Sequence, residues 1–317
     1  MSTPQIPAQD SIPISEYIKG KFVPLSHLAH GWEIHSMLTL TPAEERTMVR
    51  EPAQAILVGI AERIGALRVL MVPYIACVES GDVVCPAKPK GATHTAAWVE
   101  TSERTNLLLA CREVDAHDTG FEFLASVAEL LRPRLTSSEL AAYDELLDEE
   151  LRHGVRGEID EESLTAKQAL LAIRPWRRSR LQYEPYRDIS LVSTVAEYMH
   201  GLWHDVQIRV GPEHLPLQQL RRRMILMSTL FPPNPGYAVF AKDLEEEPKT
   251  EEGAAQTGNQ KLEIRNQRET VNTGHGPFWM TRWVVEPKMA RSRALRPRTP
   301  RMMRSVSASR AERMISS

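Results

Sequence analysis

The sequence predicts an α+β fold: N-terminal helices, an antiparallel β-meander, a C-terminal bundle-like helical part and a disordered C-terminal tail. Three observations carry this. Helix-capping pairs begin at Thr41 and recur at Thr119 and Thr136. Between those groups, residues 66–113 are rich in β-branched and apolar side chains divided by turn sequences. From residue 242 onward neither helical nor strand periodicity persists.

In "TPAEERTMVRE", Thr41 precedes Pro42 at the first helical position and Glu44 follows three residues on. Threonine can accept from the Glu44 amide while the Glu44 carboxylate reaches back, so helices are predicted over 41–64, with Gly65 as a left-handed cap. "ALRVLMVPYIACV" begins the sheet, "ESGD" at 79–82 turns it, and "THTAAWVE" and "TNLLLACRE" complete the meander. Thr119 with Glu122 opens one further helix and Thr136 with Glu139 another, the latter ending at Gly154. Helices are expected near 161–173, 189–209 and 215–230. Strands grouped between helices, without β-α-β alternation, make the class α+β.

These elements place a single α+β domain at residues 12–241, with its sheet at about 66–113 and helices at about 119–231. Residues 1–11 are read as a disordered N-terminus, and 242–317 as a mostly disordered tail, acidic and then basic. With 42% hydrophobic and 25% charged residues, 317 residues suffice to bury a large core. No leader-like start and no apolar run of ~18 residues is present, which predicts a soluble, cytoplasmic protein without a membrane partner. Three cysteines, Cys77, Cys85 and Cys111, suit reduced, buried thiols better than a disulfide framework.

Charge is distributed unevenly. Residues 281–317 hold ten Lys or Arg against two Asp or Glu, a net of +8, which leaves −10 on residues 1–280 of a chain totalling −2. An acidic body argues against a nucleic-acid-binding domain and restricts that partner to the basic tail.

The stretch "EYMHGLWHD" carries the clearest chemical pattern. His200 and His204 stand one helical turn apart, and two imidazoles at this spacing can chelate one divalent ion, zinc or iron. Gly201, Leu202 and Trp203 lie between them, with no glutamate where a metalloprotease helix carries its base. On a helical wheel Leu191, Val195, Met199, Leu202 and Val206 form a core stripe about 60° wide, and Ser193, Glu197, His200 and His204 share a polar stripe about 100–160° from Met199. That stripe is expected either in water or under another element. Glu197 is read as a ligand or a base, and His153, Glu150 and His117 as partners for the pair. Glu150 with His153 repeats the Glu-x-x-His spacing of Glu197 with His200, a pattern used twice in dinuclear carboxylate bundles; His153 beside Gly154 argues against it.

Asp115 and His117, in the turn before a helix, are further candidate catalytic residues, with Asp118 or Thr119 as cap and His117 exposed. Cys77, Cys85, His94 and Cys111 contain the donors of a zinc site but at irregular spacing. Residues 174–187 interleave Arg174, Arg177, Arg178, Arg180 and Arg187 with Trp176, Tyr183 and Tyr186, and are expected to form a loop suited to a protein partner. Two functions follow: a non-catalytic interaction or scaffold protein using 174–187, and a metal-binding domain centred on His200 and His204 with hydrolytic or oxidative activity, in which Glu197, Asp115 and His117 would serve the chemistry.

Overall fold

A computed structural model describes residues 11–22, 26–78, 81–173, 180–204 and 211–239. The chain enters through Ile12–Pro13 (β1) and one helical turn, Ile14–Tyr17 (α1), then forms the hairpin Ser26–His27 (β2) and Glu33–Ser36 (β3). Thr41 caps Pro42–Glu45 (α2) with the expected reciprocal box, the Thr41 amide donating to the Glu44 carboxylate at 2.7 Å. The helix widens into a π turn at Arg46–Arg50, continues as Glu51–Ala55 (α3) and resumes after Ile56 as Val58–Ile64 (α4). Gly65, at φ +75°, closes α4 in a conformation that costs other residues strain.

The strands that follow are Leu67–Val72 (β4), Tyr74–Val78 (β5), Gly81–Cys85 (β6), Thr93–His94 (β7), Ala96–Glu100 (β8) and Thr105–Ala110 (β9). They divide between two sheets, β1-β6-β5-β7 and β2-β3-β4-β9-β8. The antiparallel expectation holds for the β5–β6 and β8–β9 pairs. The centre of the larger sheet is parallel, β3 beside β4 and β4 beside β9. Burial on both faces explains this: Leu67, Val69 and Met71 of β4 join the helical core, while Leu70 and Val72 join a second cluster with Ile14, Ile75 and Val84. A strand covered on both sides reads as a continuous apolar run, the mark of a parallel centre.

Four longer helices and one shorter one follow. Ala116–Leu131 (α5) begins earlier than Thr119 and Glu122 suggest, because Asp115 caps it, accepting from the His117 amide at 2.8 Å. Thr119 is inside the helix, its hydroxyl donating to the Asp115 carbonyl. Ser137–Arg152 (α6) carries the expected Thr136–Glu139 box, and Gly154 follows at φ +71°. Glu161–Leu171 (α7) is capped by Asp160. Arg180–Trp203 (α8) begins well before residue 189, despite Pro185 within it, so residues 180–187 are helix and not loop. Leu217–Leu230 (α9) completes the set. No described helix is long and apolar enough to cross a membrane. The expected tail at 242–317, residues 1–10, residues 174–179 and Val206 lie outside the described residues.

Helix α8 packs against α3, α5, α6, α7 and α9. Leu191, Val195, Met199 and Leu202 are buried as the wheel predicts, but so are Ser190, Ser193, Thr194 and His200. The polar stripe is therefore covered at Ser193 and His200, partly covered at Glu197 and exposed at His204; where it is covered its hydroxyl is hydrogen-bonded inside the protein, Ser193 donating to Asp160 Oδ2 at 2.7 Å.

The same interior holds a charged network. The Arg223 guanidinium of α9, fully buried, donates to Glu150 Oε2 at 2.6 Å and to Glu158 Oε2 at 2.9 Å, and its Nη1 reaches the Ser190 hydroxyl at 2.9 Å. Glu158 also accepts from Lys167 Nζ at 3.1 Å and from the Tyr186 hydroxyl at 2.6 Å. Two carboxylates thus face two cations. Burial alone would raise the Glu158 carboxyl, but the attraction and hydrogen bonds of Arg223 and Lys167 outweigh it and hold the group at about 2.

Removing one partner of such a set leaves buried charge uncompensated, so Arg223→Ala should lower stability by ~3–5 kcal/mol at neutral pH, measured by denaturant unfolding. A loss under ~1 kcal/mol would show that water or rearrangement compensates the carboxylates. Because the folded value of Glu158 lies below its ordinary 4.5, its contribution is present above that pH and is lost as pH falls toward 2. Wild-type stability should therefore decline across that window, and in Arg223→Ala the decline should begin at higher pH.

Candidate metal centre

The capping of α5 by Asp115 puts His117 in the first turn of that helix, one turn before Gly120. Gly120 has a packing reason. A Cβ there would sit 2.5 Å from Cη2 of Trp203 and 2.7 Å from the Thr47 carbonyl oxygen. Without it, the end of α8 closes over the start of α5, and Trp203 stacks on His117 with ring centroids 5.0 Å apart and planes inclined by 19°. The Trp203 indole N–H points to Glu51 Oε2 at 3.4 Å.

Three histidines meet at this crossing. His117 Nε2 lies 3.3 Å from His200 Nε2. The ring of His204 is 5.0 Å from that of His117 and 5.9 Å from that of His200. Phe121 stands edge-on to His200 at 5.3 Å. The two Nδ1 atoms face carboxylates: His200 Nδ1 lies 3.7 Å from Glu197 Oε2, and His117 Nδ1 lies 4.0 Å from Asp118 Oδ1. His200 is buried and its Nδ1 makes no hydrogen bond, whereas the His117 side chain is 39% exposed and His204 is exposed.

Nitrogen ligands 2.0–2.1 Å from a tetrahedral ion are about 3.3–3.4 Å from each other. The His117–His200 separation of 3.3 Å falls in this range and is equally that of a hydrogen bond between the rings, and the carboxylates near the two Nδ1 atoms, at 3.7 and 4.0 Å, are not hydrogen-bonded to them. Among the described residues, the three-donor set whose atoms already lie mutually within 4.8 Å is elsewhere, at Cys77, Asp82 and His94. The His204 ring stands further off, 5.0 and 5.9 Å from the other two by ring centroids.

The remaining candidates are dispersed. Glu150 is committed to Arg223, and His153 is exposed at the end of α6, so the second Glu-x-x-His pair is separated by the burial of its acid. Asp115 is occupied as the α5 cap. In 174–187, Tyr186 is fully buried on Glu158, and Arg187 pairs with Asp188 and Asp144. The thiols do not assemble. Cys111 lies in the helical core, its Sγ donating to the Val72 carbonyl, and burial pushes it up to about 11; Cys85 is buried in a small cluster with Ala76 and Val83 and is likewise raised by burial. A cleft between α6, α7 and Pro212–Glu213 is lined mainly by apolar groups, with Arg156 and Glu213 its charged members.

Gly120 and Trp203 were not singled out in the sequence, since a glycine in a helical pattern usually reads only as a weak position. Compared with known protein families, curated proteins and solved structures, the chain matches none.

Gly→Ala inside a helix ordinarily stabilises by ~0.5–1 kcal/mol. Gly120→Ala should instead destabilise by ~1–3 kcal/mol, because the new methyl overpacks against Trp203 and the Thr47 carbonyl. Unfolding curves give the sign, and a shift in Trp203 fluorescence, read against Trp203→Phe, reports the displaced ring. A stabilised variant with unchanged emission would refute the close crossing.

Proposed function

We propose that this protein is a metal-binding domain whose divalent ion, zinc or iron, is held by the imidazoles of His117, His200 and His204. The observation that carries this is the paired geometry of His117 and His200, Nε2 facing Nε2 at 3.3 Å with each Nδ1 turned to a carboxylate. Neutral imidazole suits zinc and iron, and a carboxylate near each Nδ1 favours the side of the ring that presents Nε2 to the ion. Glu197, which the sequence offers as ligand or base, acts in this reading as the orienting group of His200. Asp118 does the same for His117.

An ion held by three imidazoles retains an open position, and such an ion lowers the pKa of a bound water to about 7. The exposed side of His204 and the half-exposed His117 give that position access to solvent, while Trp203 and Phe121 wall the buried side. This favours the hydrolytic form of the metal reading. The scaffold reading loses two of its contact groups, since Tyr186 is buried and Arg187 is ion-paired.

Tag-free protein loaded with zinc and desalted should lose one equivalent of metal per chain in each of His117→Ala, His200→Ala and His204→Ala, as measured by elemental mass spectrometry. Glu197→Gln should weaken affinity by ~10–100-fold without removing the site. Metal content unchanged in all three alanine variants, each folded by circular dichroism, would rule the centre out.

A further inference from the structure

Three strands of the smaller sheet bring together a different donor set. Cys77 on β5 and Asp82 on β6 are directly opposite in the antiparallel ladder, so both point to one face. On the other side of β5, His94 on β7 pairs with Ile75, two residues before Cys77, which puts it on that face as a diagonal neighbour of Cys77. One donor atom from each of the three residues lies within 4.8 Å of the other two. His94 Nε2 is buried and makes no hydrogen bond; Asp82 Oδ1 is 3.5 Å from it. The His94 side chain is only 10% exposed, whereas Cys77 is exposed.

We propose that Cys77, Asp82 and His94 form a second metal site, selective for zinc-like divalent ions. Ligands 2.0–2.3 Å from a tetrahedral ion stand about 3.3–3.8 Å apart, and the His94–Asp82 separation already falls in that range. Three donors converge on one point, whereas a nucleophile with its base and orienting acid would use both ring nitrogens in series. A thiolate, a carboxylate and a neutral imidazole carry two negative charges, which balance a divalent ion. The thiolate excludes magnesium and calcium, whose preferred ligands are oxygen. Binding breaks the Cys77 S–H bond, forms an S–metal bond and releases the proton to solvent. Water completes the coordination from the exposed side of Cys77. No residue of this site belongs to the histidine centre, so either can be occupied without the other.

Cobalt(II) separates the two sites, since only Cys77 supplies a sulfur ligand. Reduced, metal-stripped protein titrated with cobalt should develop a thiolate-to-cobalt charge-transfer band in the near ultraviolet. The band should vanish in Cys77→Ser, fall at least tenfold in apparent affinity in His94→Ala and Asp82→Asn, and persist in His200→Ala. In the wild-type protein, saturating zinc should slow alkylation of Cys77 by iodoacetamide at least tenfold, mapped by peptide mass. That measurement needs no variant to fold. The proposal is overturned if cobalt gives no sulfur band, if the band survives in Cys77→Ser, or if zinc leaves the alkylation rate of Cys77 unchanged.

Discussion

The buried ion network around Arg223 is the constraint on which the helical half depends. A guanidinium presents several donors in a fixed plane, so one side chain can serve two carboxylates and a hydroxyl at once. Here those groups come from α6, from the segment before α7 and from α8: Glu150, Glu158 and Ser190. Lysine could not replace it with the same geometry. Tyr143 extends the network, bonding Ser190 at 2.9 Å and Thr194 at 2.8 Å. Desolvation of four charges is costly, and such networks add little net stability over apolar packing. In this placement of α8, Ser190 and Thr194 both find partners in the network.

The register of α8 fixes the histidine centre. Ser190 and Thr194 are held by Arg223 and Tyr143, and His200 lies less than two turns further along the same rigid helix. At that end the helix is located against α5 by the contact of Gly120 with Trp203. The position of His117 relative to His200 therefore follows from one packing constraint midway along α8 and another at its C-terminal end. The His117–His200 separation is thus set by packing between helices and not by the two rings alone.

The sheet layers show the same economy in a different geometry. The larger sheet is apolar on both faces, with helices on one and the smaller sheet on the other. The smaller sheet packs only one face of Ile75 and Val84 into that core, and the same pleat carries Cys77, Asp82 and His94 beyond its rim. Side chains on paired strands are spaced by the ladder, which sets the distances among these three.

Local chemistry determined much of the fold without tertiary information. The boxes at Thr41 and Thr136 and the positive-φ glycines Gly65 and Gly154 depend on bonds within a few residues, and they occur as read; the sheet, expected at about 66–113, also takes in β1, β2 and β3 from ahead of the helices, with β3 parallel to β4. The four described members of the α8 core stripe follow equally from periodicity. What only the tertiary structure decided is everything that depends on what covers a polar group. Arg223 sits between Leu220 and Met224 in the sequence and reads as solvated until two carboxylates are found inside beside it. The α5 start moved to Asp115, and 180–187 became helix, because packing can outweigh a local breaker or an alternative cap. His117 joined His200 across 83 positions of chain, and Asp82 replaced Cys85 and Cys111 beside Cys77, since pairing between strands and crossing between helices are long-range contacts that no local spacing encodes.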